Sequence, residues 1–259
     1  MRIGIFDSPA EVAVAAAEYL IAELAAADEP KVLGVATGST PEPMYDVLSE
    51  RHAAGEFSLE GIPAFALDEY VGIAPDHPER YRNVLIRNLV GPHRTGLREE
   101  DLHSPDGSNP DPHAAAAEYD AAIKAAGGIS LQILGIGADG HIAFNEPGVS
   151  LESRTHVDVL TPQTRRDNAR FFDGDIEKVP SLCLTQGIGT IMEAKSILLL
   201  ATGTAKREAV RKFIESSISA RWPASALQNH PRVTVMIDEA AAAGLELTDF
   251  YRLRWNTLA

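Results

Sequence analysis

The sequence predicts an α/β protein built on one doubly wound, mostly parallel sheet with helices on both faces. Three observations lead there. Strand-like and helix-like stretches alternate along the whole chain. Stretches such as 31–36 (KVLGVA) and 196–201 (SILLLA) are apolar on both faces, as strands covered from both sides must be. Glycine, hydroxyl and acidic residues cluster just after the strands, where open α/β sheets bind ligands. The chain has 259 residues, 45% hydrophobic, with no linker or repeat, and reads as a single domain over 1–259.

Residues 2–6 are the first strand. Ser8-Pro9-Ala10-Glu11 carries an N-cap, a proline at the first helical position and a capping-box acid, so a helix runs to about Ala27. The strand 31–36 ends in Thr37-Gly38-Ser39-Thr40-Pro41, followed by a helix over 41–54. Hydroxyls and a glycine between a strand and a helix start make an anion site, although a plain helix cap uses the same residues. Strand 63–67 (PAFAL) delivers Asp68-Glu69-Tyr70 at its end, and a helix follows over 78–89. Residues 102–104 form a short edge element. Asn109-Pro110-Asp111-Pro112 opens a helix that Gly127-Gly128 closes. A strand begins at Ile129, and the polar loop after it runs to Gly148. Residues 154–160 read as a strand, 161–170 as a helix and 187–194 as a short helix. After strand 196–201, Thr202-Gly203-Thr204-Ala205-Lys206 repeats the theme of the Thr37 loop, now with a lysine. Strand 233–237 and one final helix complete the alternation.

The formal charge of −14 argues against nucleic acid or an anionic membrane as partner, since both need a basic face. An anionic substrate would have to be met by a few local cations and backbone N–H groups. Cys183, the single cysteine, excludes an intrachain disulfide and suits a reducing cytosol; it reads as a small buried hydrophobe. No secretion signal is visible, and no stretch approaches the ~18 apolar residues of a membrane span. The expected location is the cytoplasm.

The stretch 129–148, ISLQILGIGADGHIAFNEPG, concentrates the candidate chemistry. Its Gly135-Ile136-Gly137-Ala138-Asp139-Gly140 matches the dinucleotide fingerprint G-x-G-x-x-G, and the architecture is Rossmann-like. Two features oppose a dinucleotide: Asp139 would repel the pyrophosphate, and Pro147-Gly148 interrupts any crossover helix. Asp139, His141 and Glu146 match no zinc spacing, and no second histidine stands at i+4, so no metal is expected. Neither a nucleophile elbow nor a Walker lysine loop is present. Acid–base chemistry fits better. A histidine flanked by two carboxylates can be held in one tautomer and trade protons near neutral pH. With Asp68 from another strand end, the hydroxyl loop, Arg170 and Lys206, this describes proton shuffling on a small phosphorylated molecule.

The motifs resemble a known family. Gly135-x-Gly137-x-Asp139-Gly140-His141-Ile142-Ala143-Phe144-Asn145-Glu146-Pro147 is similar to the signature of glucosamine-6-phosphate deaminases. The Thr37 loop, Leu67-Asp68-Glu69-Tyr70, Ser153-Arg154-Thr155, Ala169-Arg170-Phe171-Phe172-Asp173 and the Gly203/Lys206 turn fall around it in the family's order. The Phe-Asn-Glu-Pro portion separates these enzymes from the related 6-phosphogluconolactonases. The resemblance implies conversion of D-glucosamine 6-phosphate and water to D-fructose 6-phosphate and ammonium, with no cofactor. It implies Asp68, Asp139, His141 and Glu146 as catalytic residues, and Thr37, Gly38, Ser39, Thr40, Gly137, Arg170 and Lys206 as substrate and phosphate contacts. Residues 161–173 are a candidate lid. Activated bacterial members bind N-acetylglucosamine 6-phosphate between subunits through basic residues on the strand after the Asn-Glu-Pro loop. Here that strand carries His156 and Asp158, and Val149 replaces a small hydroxyl residue, so that activation is not expected. Monomer and homo-oligomer both stay open.

Overall fold

The computed structural model describes residues 1–258. The chain runs β1 (Arg2–Phe6), α1 (Pro9–Ala26), β2 (Leu33–Val35), α2 (Glu42–Ala53), β3 (Ala64–Ala66), β4 (Asp68–Tyr70), α3 (Tyr81–Leu89), β5 (Leu102–His103), α4 (Pro112–Ala125) and β6 (Leu131–Leu134). It continues through β7 (His156–Val159), α5 (Pro162–Asn168), β8 (Leu182–Thr185), α6 (Ile188–Met192), β9 (Ser196–Ala201), α7 (Arg207–Glu215), β10 (Val233–Asp238), α8 (Glu239–Ala242) and α9 (Thr248–Thr257).

Seven strands form the main sheet in the order β1-β10-β9-β6-β2-β3-β5, with every pairing parallel. The expected doubly wound sheet is therefore present, with helices packed around it. All six residues of β9 and of β10 are buried, and so are all four of β6. Each fully buried aliphatic side chain there contributes roughly 1.5–3 kcal/mol. From β2 the chain winds outward through β3 to β5. It then returns to the other side of β2 as β6 and winds the opposite way through β9 to β10. The reversal lies between β2 and β6, and the crevice at their C-terminal ends is where such sheets hold ligands.

A second sheet, β4-β8-β7, is antiparallel and departs from the sequence reading. The sequence places Asp68-Glu69-Tyr70 at the end of the strand over 63–67. Instead Leu67 alone separates β3 from β4, and the chain passes from one sheet into the other. β8 has no counterpart in the sequence reading, because its four residues, LCLT, carry no periodic signal beside the glycine that follows. Cys183 lies in β8 fully buried, as expected. The strand expected over 154–160 is β7, in this small sheet. A separate apolar cluster of Tyr70, Ile73, Phe144, Leu160, Ala169, Phe172, Val179 and Cys183 fills the space beside it.

Local sequence explains most helix ends. Ser8 Oγ accepts from Glu11 N at the start of α1, and Asp111 accepts from His113 N and Ala114 N at the start of α4. The helix expected from Pro78 begins only at Tyr81. The single final helix is two, with 243–247 between them. α7 buries Ala209, Val210, Phe213 and Ile214 and turns Glu208, Arg211 and Lys212 outward as an ion-paired face. α9 covers the edge strand β1: Trp255 meets Phe6 edge-on at 5.8 Å, and the Arg2 guanidinium lies 4.2 Å from the Trp255 ring centroid.

Candidate active site

Four segments follow the ends of β2, β6, β3 and β9, the strands on either side of the reversal. The first follows β2. Tyr45 of α2 donates its hydroxyl to Ala36 O at 2.7 Å and accepts from Ala36 N at 3.2 Å, fixing the strand end from which Thr37 to Thr40 emerge. Gly38 has φ +106, the left-handed region that favours glycine, and open space where a side chain would stand. Thr37, Gly38 and Thr40 are half-buried, and Ser39 is exposed.

The loop after β6 closes on itself. Gly137 N donates to His141 O at 2.9 Å, and Gly140 N donates to Gly137 O at 3.0 Å. No helix follows; the next element after β6 is β7. The glycines thus do not build a dinucleotide cradle. At Gly137, expected as a substrate and phosphate contact, the backbone also serves the loop itself. Its N–H serves the His141 carbonyl, and a Cβ on it would lie 2.2 Å from His141 Cε1, so the imidazole occupies that space. His141 Nδ1 lies 2.7 Å from Asp139 Oδ1 and 3.7 Å from Glu146 Oε2. Burial works against the Asp139 charge, but the hydrogen bond and charge of His141 outweigh it and hold its pKa at about 2. Asp139 is therefore a carboxylate at any working pH. It fixes the Nδ1–H tautomer and leaves Nε2 to exchange protons.

Glu146 is buried and held on one side only. Its Oε1 accepts from Thr164 Oγ1 at 2.5 Å, Thr161 N at 3.2 Å and Thr161 Oγ1 at 3.3 Å. Its Oε2, facing His141, is buried without a partner. Both threonines belong to the start of α5, so the expected lid segment is tied to Glu146 at this end. Asn168 Nδ2 ties it further to the Tyr70 hydroxyl at 2.9 Å. Arg170 lies beyond these ties, exposed, with its guanidinium 4.6 Å from the Phe171 ring centroid.

The third segment, the start of β4 just past β3, presents Asp68. It is 7% exposed and makes no hydrogen bond through its carboxylate among the described residues. Burial, and then the charge of Glu69, push its pKa well above the ordinary carboxylate range. Glu69 is fully buried but well satisfied. It accepts from Tyr70 N, Tyr81 N and Arg82 N, each at 3.0 Å, with Arg80 Nε at 3.8 Å. Two adjacent acids thus have opposite environments, one anchored and one bare.

The fourth loop follows β9. Gly203 N donates to both oxygens of Asp238 at 3.0 Å, and Asp238 also caps α8. This sets Lys206 at the start of α7. Burial pushes the Lys206 ammonium below its usual range; Asp167 and Asp139 oppose that shift, and Arg170 adds to it. Lys206, Arg170 and Asp139 therefore share one neighbourhood despite their separation in sequence. Neither Lys206 nor Arg170 forms an ion pair among the described residues.

The structure adds residues that the sequence reading passed over. Thr161 appeared there only as a helix start and Asn145 only as part of a signature, while Thr164, Thr185 and Gln186 carried no signal. Asn145 Nδ2 donates to Ile142 O and to Gln186 O, and Thr185 Oγ1 accepts from Phe144 N. For a metal, Asp139, His141 and Glu146 offer donor atoms within 4.8 Å of one another. Two of those donors, His141 Nδ1 and Asp139 Oδ1, are already engaged with each other.

Comparison with known proteins places this geometry. The family model for glucosamine-6-phosphate isomerases/6-phosphogluconolactonase matches residues 7–236. A glucosamine-6-phosphate deaminase from Beutenbergia cavernae is 53% identical over 252 residues, covering 97% of this chain and 95% of its own. One from Mycolicibacterium smegmatis is 52% identical with the same coverage. A solved monomeric glucosamine-6-phosphate deaminase superposes with a TM-score of 0.90 at 39% identity, over 95% of this chain and 100% of that one. A 6-phosphogluconolactonase from Trypanosoma cruzi gives 0.76 at 22% identity, over 95% and 97%, a likeness of fold alone.

Proposed function

This chain belongs to the family of glucosamine-6-phosphate isomerases and 6-phosphogluconolactonases and is an enzyme of its glucosamine-6-phosphate deaminase group; we propose that it converts D-glucosamine 6-phosphate and water to D-fructose 6-phosphate and ammonium without a cofactor. The observation that carries this reading is the His141–Asp139 pair next to Glu146, with Lys206 in the same neighbourhood and the buried Asp68 carboxylate, unheld by any hydrogen bond among the described residues, just past the end of β3. His141 Nε2 takes the proton of the anomeric hydroxyl as the ring opens and returns one to the ring oxygen. Asp139 and Glu146 hold and orient it.

Asp68 then removes the proton from C2, whose acidity the adjacent ammonium raises. The C–H electron pair becomes the C1–C2 double bond, and the carbonyl oxygen takes the proton that the ammonium nitrogen releases, so a neutral enolamine forms. Asp68 returns its proton to C1, leaving an iminium at C2. Water adds there, and the nitrogen departs as ammonium while C2 becomes the ketone. The substrate ammonium also favours ionisation of Asp68, so the cation that needs the base helps to produce it. The phosphate lies on Ser39, Thr40, the N–H groups of the Thr37 loop, Arg170 and Lys206, where its charge restores the proton that burial loosens on Lys206. Residues beyond Asn168 close over it, carrying Arg170.

Every group in this scheme comes from one chain, and a solved relative is monomeric. No helix among the described residues is long and apolar enough to cross a membrane. We assign the reaction to the cytoplasm, as a single buried cysteine suits. We also infer that N-acetylglucosamine 6-phosphate does not activate this enzyme. On β7, the strand that carries basic residues in activated relatives, His156 Nε2 here lies 3.5 Å from Asp158 Oδ2, and an acid stands where a phosphate would need a cation. A coupled assay tests the whole reading: ammonium and fructose 6-phosphate should appear in equal amounts. The rate curve should be hyperbolic and indifferent to N-acetylglucosamine 6-phosphate, and a chelator should leave turnover intact. Lactone hydrolysis without ammonium release would overturn the activity, and a sigmoidal curve straightened by that ligand would overturn the regulation.

A further inference from the structure

The two halves of the proposed chemistry stand on different sheets. His141 and Glu146 lie on the loop after β6, and Asp68 is the first residue of β4. One residue touches both. Thr185, fully buried at the end of β8, is the antiparallel register partner of Asp68. Directly opposed residues place their side chains on the same face with Cβ atoms roughly 4.5–5.5 Å apart. Thr185 Oγ1 also accepts from Phe144 N at 3.0 Å. Phe144 lies between His141 and Glu146, next to Ala143, whose φ of 51° is costly for a residue with a Cβ. A loop in that conformation needs a hold from outside. The next residue repeats the grip: Gln186 N donates to Leu67 O at 2.8 Å, Gln186 Nε2 donates to Ala66 O at 2.9 Å, and Gln186 O accepts from Asn145 Nδ2 at 2.8 Å.

We propose that Thr185 is a positioning residue that sets the Asp68 carboxylate against the His141–Glu146 loop. The inference deepens the deaminase reading and rests on it. Ring opening acts at C1 and the isomerisation acts at C2 and C1, so His141 and Asp68 must address neighbouring carbons of one bound molecule. An error of about 1 Å between them costs on the order of 100-fold in rate. A threonine that merely paired a strand end would carry no such consequence.

Thr185→Val keeps the shape and removes the acceptor; Thr185→Ser keeps the hydroxyl. In Thr185→Val, kcat should fall about 10- to 100-fold with KM little changed. The C2-deuterium isotope effect on kcat should rise, because transfer from C2 becomes the slow step. Thr185→Ser should stay near wild type in both. Amide hydrogen exchange at Phe144, measured without substrate, should accelerate in Thr185→Val alone. A wild-type isotope effect in Thr185→Val overturns the proposal, whether turnover is intact or lost in proportion to unfolded protein. Unchanged protection of Phe144 also overturns it, independently of any reaction. If the wild-type protein releases no ammonium, the deaminase reading fails, and the exchange measurement alone decides whether the clasp exists.

Discussion

Asp68 and Asp139 are the same residue type put to opposite uses. Asp139 gains a charged partner and stays ionised; Asp68 has none and resists ionisation. Asp68→Asn should lower ammonium release and C2 proton exchange by roughly 10²- to 10⁴-fold, the range for a lost general base, while sugar-phosphate binding survives. The same substitution should stabilise the fold. A carboxyl whose folded pKa is raised supports the fold fully below its unfolded pKa and loses that support as pH rises through the folded value. Above that window wild type holds a largely buried charge that no hydrogen bond satisfies, and the asparagine variant does not. Melting temperatures should therefore favour Asp68→Asn at pH 7–8, by about 2–4 °C per kcal/mol recovered, with the gain vanishing towards pH 4. Near-normal turnover in this variant would remove Asp68 as the base. In the sequence, Asp139 and His141 are two positions apart and their partnership is legible. The bareness of Asp68 is not, because it depends on what packs around it.

At the scale of elements, the loop after β6 depends on backbone placement as much as on its acids. Gly137→Ala would drive a methyl into the His141 ring. The imidazole must shift away from Asp139, and kcat/KM should fall by roughly 100-fold while sugar-phosphate binding persists. Steady-state kinetics beside a binding titration separates the two, and unaltered kcat/KM would refute the packing role. The long parallel strands and the capped helices were legible from apolar runs and cap residues. In the small sheet only β7 was legible, from its alternating side chains; β4 and β8 were not, because Asp68-Glu69-Tyr70 and LCLT carry no strand pattern until they pair with each other. The break between α8 and α9 was hidden likewise, since 239–257 offers no proline to mark it.

For the whole molecule, catalysis and edge protection are separated. The site occupies the reversal between β2 and β6, while α9 shields β1 at the far edge of the same sheet. Trp255→Ala should cost roughly 2 kcal/mol, less than the 3–5 of a fully buried tryptophan, and should promote aggregation through the uncovered strand. Activity per folded molecule should not change; denaturant unfolding and active-site-normalised rates would show both, and a matching loss of specific activity would contradict the separation. The topology of the sheet was legible because alternation of strand and helix leaves few alternatives. The residues that stitch one sheet to the other carry no such pattern and emerge only when the chain is folded.

Leu67 lies between two sheets as the single residue joining β3 to β4, pinned by its N–H to Val35 O at 3.2 Å and by its carbonyl to Gln186 N at 2.8 Å. Asp68 is the first residue past this link. Rotating the small sheet by about 5° there would carry the Asp68 Cα only about 0.3 Å, given the 3.8 Å step between successive Cα atoms. Residues farther along the arm sweep larger arcs. A small rotation of that sheet would thus leave the backbone that carries the Asp68 carboxylate nearly in place.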